Sequence, residues 1–472
     1  MIPWHWEVLD SFINNSLFRL TKSDALYWPI NEYVVKRDEE FKIVIDTVCD
    51  PNATTRRIVY PPGTVRLNTD SIEFQDPSGR KAVGGGIQSL TTTRTPEALH
   101  ETASIEDLEW HRSKYVRGRY LIEWLLNVDD RKYFWPDSID DVTKTYSARV
   151  CGGNKNPLLL TARSKVKGSA WQCANINVGG CKMYFGPCSV PKVEAGKMPG
   201  FIIYDGIPGE KDRLKIRLAL SFAFGRPLVY LGHSVFDKKW QLVSFRALSP
   251  YTMNGKMFRL LTFPPAPLFA SQRFLNELNG DILSTIANAF YNKYDVYKLE
   301  DVSWLYWHAA AAEVHTAPAQ YGATFESIER AFIAAKGSRL QKSLLKKSTW
   351  KSLKKDIETA VMSKSMDDKA RKILGNKIES LNQKPATVVT EEFLARLDID
   401  LSNAESLAWK NRHLAAHGSL VGEQDYVRVI KETKLLKLLC NRVLLSITGG
   451  SDCYIDYYSQ DFPVKGLQTP AA

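Results

Sequence analysis

Apolar residues follow two different rhythms along the chain. Up to about residue 270, short runs of strand length are separated by turn residues: FKIVIDTV from Phe41, YLIEWLLNV from Tyr120, FIIY from Phe201, and LVYLGHSVFD followed by WQLVSFRAL. β-Branched and aromatic side chains in such runs suit a pleated surface, and the last two, parted by Asp237, Lys238 and Lys239, predict a hairpin. LKIRLALSFAF, from Leu214 to Phe224, fits a short helix or another strand equally well. After the proline-rich FPPAPLF (263–269) the apolar spacing becomes three and four, which predicts helices over 272–297, 301–315, 321–336, 339–363, 391–398, 403–417 and 425–447. The expected fold class is α+β, with a mainly β module over 1–270, an all-α bundle over 271–450 and a loosely docked extension over 451–472. In the bundle, Leu353, Ile357 and Val361 form the packing face of a basic helix. Val427, Ile430, Leu435, Leu438, Leu439 and Val443 form the buried stripe of the final helix, which stops at Gly449.

Composition narrows the class. The 472 residues are 44% hydrophobic and 24% charged, enough for two or three folded cores and too apolar for a disordered chain. No apolar run approaches the roughly 18 residues that cross a bilayer, and the opening MIPWHWEVLDSF lacks the basic and apolar regions of a secretory signal. A cytoplasmic protein with no membrane partner is expected. Seven scattered cysteines read as reduced thiols. The net charge of +11 is concentrated: residues 336–384 hold fourteen Lys and Arg against five Asp and Glu. Such a stripe is either a solvated helix face or a site that attracts polyanions, nucleic acid first among them.

Several chemical signals fail on their spacing. Gly232-His233-Ser234-Val235-Phe236 begins like a nucleophile elbow, but Phe236 stands where the second glycine is required, and the segment belongs to the expected hairpin. Gly84-Gly85-Gly86 lacks the lysine and hydroxyl residue of a phosphate-binding loop. Cys151, Cys173, Cys181 and Cys188 contain no paired knuckle for zinc. His308 and His315, two turns apart on an alanine-rich helix, suit packing better than a shared ion. Neither a metal nor a cofactor is expected.

The segment SNAESLAWKNRHLAAHGSL (402–420) is different. Ser402 and Glu405 form an S-x-x-E capping box that starts a helix, and Gly418 can end it. Asn411, Arg412, His413 and His417 gather at its far end. Leu414 stands where a zinc-protease helix would carry its glutamate. Two readings remain from the residues themselves: cations that satisfy terminal carbonyls at the negative end of the helix dipole, or a phosphate-directed site.

R-H-L-A-A-H-G resembles the R-x4-H motif of the HEPN superfamily of helical ribonucleases, with a polar residue directly after the arginine. Its surroundings are similar too: the run FESIERAF (325–332) before it and a long leucine-rich helix closing at a glycine after it. A large β-rich half ahead of the helical half resembles the ApeA-like abortive-infection proteins of bacterial antiphage defence. The resemblance implies a metal-independent endoribonuclease restrained by the N-terminal module until a phage-derived trigger arrives, with RNA, tRNA included, as substrate. It also implies a homodimer joined through the helical domain. His417 would be the acid or base, Arg412 the clamp on the phosphorane, and His413 or Asn411 an orienting group. Imidazole titrates near neutrality and guanidinium offers a planar, permanently charged fork, so the residue types suit that chemistry. In a regular helix Arg412 and His417 point about 140° apart, so either the last turn unwinds at Gly418 or two copies of the motif form one composite site across a two-fold axis, as the resemblance implies. Lys346, Lys347, Lys351, Lys354 and Lys355 would guide the RNA. The alternative is a non-catalytic helical module that binds RNA or a nucleotide, or only dimerises.

Overall fold

The computed structural model describes residues 7, 9, 18–23, 25–55, 70–112, 116–128, 133–150, 158–188, 198–269, 277–336, 340–416 and 422–471, with the backbone alone over 138–150, 158–172, 415–416 and at 423. The chain is α+β, an antiparallel β module followed by helices. Its contacts divide into two units: Met1–Pro264 with Leu268–Tyr291, and Pro265–Pro267 with Asn292–Ala472. Among the described residues no helix is long and apolar enough to cross a membrane.

In the first unit an eleven-stranded sheet runs in the order Arg19–Ser23, Ser71–Gln75, Lys81–Gly85, Asp107–His111, Leu242–Leu248, Val229–Phe236, Tyr120–Leu126, Pro199–Tyr204, Cys181–Pro187, Leu158–Val178 and Asp137–Val150. A four-stranded sheet joins Trp28–Arg37, Ile43–Thr54, Leu99–Ile105 and Gln88–Arg94. Ile43, Ile45, Ala103 and Ile105 of the smaller sheet share a core with Ile72, Phe74, Leu108, Trp110 and Phe245 of the larger. Alternation explains this: side chains two apart on a strand share one face.

The expected hairpin is present, Val229–Phe236 pairing with Leu242–Leu248. Its turn is held by the Asp237 carboxylate, which accepts from the amides of Lys239 and Gln241 at 2.8 and 2.9 Å. Ser234 is buried and accepts from Trp124 Nε1 at 3.1 Å, so it is a strand residue and no nucleophile elbow. LKIRLALSFAF resolves as helical, within α1 (Glu210–Phe224), which ends at Gly225 in the left-handed conformation, φ 75°. A side chain at Gly225 would meet the Phe263 backbone at about 2.1 Å, so only glycine fits the turn. Helix α1 brings two cations to the fully buried Glu123. Its carboxylate accepts from Arg213 Nε at 2.9 Å, from Arg217 and from the Tyr204 hydroxyl at 3.0 Å.

Helix α2 (Gly280–Lys293), expected in the helical module, lies up to Tyr291 in the first unit. The cause is polar: Asn288 accepts from the Gly179 amide at 2.8 Å and Ser284 from the Asn177 amide at 3.1 Å, while Phe290 stacks on Phe222. Proline punctuation at 263–269 therefore precedes the change of unit by one helix.

The second unit contains α3 (Leu299–Ala311), α4 (Ala317–Ala334), α5 (Lys347–Met362), α6 (Asp368–Ser380), α7 (Ala386–Arg396), α8 (Asn403–Ala416) and α9 (Tyr426–Thr448). Tyr306, Tyr321, Phe325, Leu435, Leu439 and Val443 are buried among its helices. Three expectations need correction. Val427 and Ile430 do not belong to the buried stripe of α9: they are exposed at its first turns, and burial sets in with Val429 and Leu435. In the basic helix α5 no residue is buried and Leu353 is exposed, because its neighbour is the slender α6, a helix that the lysine-rich sequence concealed. The segment after 450 is firmly docked. Arg442, fully buried, donates to the Leu467 carbonyl at 2.9 Å and to Gln468, and the Tyr454 hydroxyl donates to the Thr469 carbonyl at 3.1 Å.

Candidate active site

The capping box forms as its residue types require: the Glu405 amide donates to Ser402 Oγ at 3.1 Å, and the Ser402 amide donates to Glu405 Oε2 at 2.9 Å. Glu405 also accepts from Arg442 Nη1 at 2.8 Å, which ties the start of α8 to the interior of α9. Seven residues on, at the other end of α8, stands Arg412.

The four motif residues part company there. Arg412 turns toward α4 and is only 8% exposed. Its guanidinium lies over the Trp409 ring, 3.3 Å from the centroid, donates to the Trp409 carbonyl, and donates through Nη2 to Glu326 Oε1 at 3.1 Å. Gly322, one turn before Glu326, makes the approach possible: a Cβ there would stand 2.7 Å from Arg412 Cδ. Asn411 turns toward α9, donating to Glu432 Oε1 at 2.6 Å, a carboxylate that Arg428 also holds at 3.0 Å. His413 is exposed. His417 and Gly418 lie outside the described residues.

Two carboxyl groups stand on α4 beside this arginine. Glu326 is half exposed at its side chain, whereas Glu329 is buried and accepts from Thr390 Oγ1 at 2.7 Å. Burial pushes the Glu329 carboxyl above its ordinary value. Glu326 adds to the shift, while the Thr390 bond, Lys342 and Arg412 oppose it. Burial draws the Arg412 guanidinium below the usual arginine value, with Glu326 pulling it back, and an arginine so placed still carries its charge at neutral pH. Together they form an oriented cation, a carboxyl biased toward its protonated form, and a second carboxylate open to water. With both terminal nitrogens of Arg412 engaged inside, an incoming anion would have to take the place of the half-exposed Glu326 carboxylate on Nη2.

Glu326 and Glu329 were within the run that carried the resemblance, yet nothing in their spacing said which helix they would face. Trp409 and Gly322 carried no signal as site residues. The basic residues fall elsewhere in the second unit: Lys346 precedes the first residue of α5, and Lys347, Lys351 and Lys355 are exposed along it. Lys354 is bound to Glu379 of α6 and lies 3.6 Å from Glu358, so it holds the helix pair together and does not reach outward. Searches against protein-family models, curated proteins and solved structures found no match to the chain.

Proposed function

We propose that the helical unit is a metal-independent endoribonuclease whose phosphate-binding cation is Arg412. The observation that carries this reading is the way Arg412 is held. Stacked on Trp409 and bonded to Glu326, its fork is fixed before any substrate arrives, as stabilisation of a transition state requires. In the reaction a base takes the proton of a 2′-hydroxyl, the 2′-oxygen bonds to the adjacent phosphorus, and the bond to the 5′-oxygen breaks as an acid protonates it. The products are a 2′,3′-cyclic phosphate and a 5′-hydroxyl. Arg412 would neutralise the phosphorane, and His417 would move one of the protons. The β unit would restrain this activity until a trigger binds it, in keeping with a role in antiphage defence.

Partnership with a second copy has its own support. Leu407 and Leu414 share the Asn411 stripe of α8 at i, i+4 and i+7 and are exposed, and Val427 and Ile430 are exposed in the first turns of α9, apolar surface suited to a second copy across a two-fold axis.

A second reading is favoured by one observation. Arg412 is nearly enclosed and two of its bonds are internal, so it also serves as a pin between α4 and α8 in a module that binds without cutting. The deciding experiment is incubation of the purified chain with total RNA in EDTA, wild type against Arg412→Ala and His417→Ala. Fragments ending in cyclic phosphate from wild type alone support cleavage. Intact RNA throughout, or fragments bearing 3′-hydroxyl ends, would leave the pin.

A further inference from the structure

We propose that the α5–α6 hairpin is a separate arm that grips the backbone of base-paired RNA. Its purpose rests on the nuclease reading, but its binding does not.

The hairpin is closed at its base, tied again along its length by Lys354 and Glu379, and thinly packed between. The Leu344 amide donates to the Asn382 carbonyl and the Lys384 amide to the Lys342 carbonyl, each at 2.8 Å, while Leu345 donates to Asn382 Oδ1 at 2.7 Å. Beyond that closure no residue of α5 is buried, and Ile378 alone is buried in α6. A pair of helices so weakly cored contributes little to its own unit, and its composition is lopsided in charge.

Lys347, Lys351 and Lys355 recur at i, i+4 and i+8, so they form one exposed row along α5. None of the three has an acidic partner among the described residues. Lys369 and Lys372 on α6 are exposed as well. The row spans about 12 Å of a helix about 24 Å long, enough to meet several successive phosphates.

What the arm lacks indicates the kind of RNA. Trp350 is the sole aromatic residue between 336 and 384, and it is half-buried. Proteins that hold single strands stack the bases on exposed aromatic rings, each ring contributing about 1–3 kcal/mol. A lysine row offers nothing to an unstacked base. It matches the phosphates and 2′-hydroxyls that an A-form duplex presents while its bases are hidden.

An anionic bilayer is the rival occupant, because Leu344, Leu353, Met362, Ile373, Leu374 and Leu381 are exposed. A helix lying in a membrane surface needs a continuous apolar stripe. Here Leu344 and Leu381 sit at the base and Met362 at the end of α5, and of the apolar row Leu353, Ile357 and Val361 only Leu353 is exposed, whereas all three lysines of the cationic row are.

The test is fluorescence anisotropy of the full chain with a 2′-O-methyl RNA stem-loop, which cannot undergo attack by its own 2′-oxygen, and with an unstructured 2′-O-methyl strand of equal charge. The stem should bind at least tenfold more tightly. The triple variant Lys347→Gln, Lys351→Gln, Lys355→Gln should weaken stem binding at least tenfold and lower the log–log salt slope by about 2–3. Equal affinity for the two RNAs, or an unchanged slope in the variant, overturns the arm. So does capture on phosphatidylserine vesicles that depends on Leu353 and Ile373 without stem binding. Stem binding in a protein that never cuts RNA would sink the nuclease reading and leave the arm intact.

Discussion

Gly322 and Arg412 fit together because the glycine lacks a side chain: a Cβ on Gly322 would stand 2.7 Å from Arg412 Cδ and 3.1 Å from Nε. Gly322→Ala removes a poor helix former from the interior of α4, which favours the helix by up to about 1 kcal/mol. It also drives the guanidinium off Glu326. RNA cleavage should fall at least tenfold while the melting temperature moves by less than about 3 °C. Full activity in a normally folded variant would show that the exact seat of Arg412 is immaterial.

The buried carboxyl of Glu329 sets a pH dependence of known sign. Its folded value is raised above the ordinary 4.5 of a glutamate, chiefly by burial, so the folded state holds this proton more tightly than the unfolded chain. Stability from this group is present below the unfolded value and is lost as pH rises through the folded one. Glu329→Gln, which can still accept from Thr390, should therefore be more stable than wild type at pH 7, with the advantage shrinking to nothing near pH 4. Urea unfolding at both pH values would measure it, and a gain as large at pH 4 would contradict the assignment.

In the β unit His233 behaves oppositely. Burial first, then Arg213, Arg246, Arg217 and His111, depress its folded value to about 3, and the Tyr230 hydroxyl lies 2.7 Å from Nδ1. The unfolded chain takes up this proton near 6.5, the folded chain only near 3, so stability is lost as pH falls across that window. His233→Gln should flatten the loss measured between pH 7 and pH 4.5. A slope identical to that of wild type would mean that the ring is not held neutral.

Assembly through α8 and α9 is tested by charge. Leu414→Glu with Val427→Glu should turn a sedimenting dimer into a monomer and abolish cleavage. An equal mixture of wild type and His417→Ala chains should retain about one quarter of the activity if the two motifs build one site and every mixed dimer is inactive, and about one half if each chain works alone.

Local chemistry was legible wherever it was sufficient. The capping box of Ser402 and Glu405 and the Asp237 hairpin turn follow from residue types within a few positions. The missing helix α6 was not legible, since its sequence DKARKILGNKIES buries one residue and so shows almost no apolar period. The same limit applies to the site. Arg412 could be singled out by motif, but Glu326 and Glu329 meet it only through the packing of α4 on α8, and Asn411 is turned away by Glu432, a partner twenty-one residues distant. The Arg442 network, which draws in Glu405, Leu467 and Asp400, is invisible to any local reading.

That network makes α8 a lever. Its near end is clamped where Glu405 meets the buried Arg442, and Arg412 lies seven residues, about 10 Å, along the axis. A tilt of about 5° at the clamp would carry the guanidinium about 1 Å sideways, a displacement on the scale that costs an enzyme about a hundredfold in rate. The fulcrum lies among carbonyls at Asp400, Leu467 and Gln468, so loosening that remote knot would leave the aim of Arg412 to its own contacts with Trp409 and Glu326.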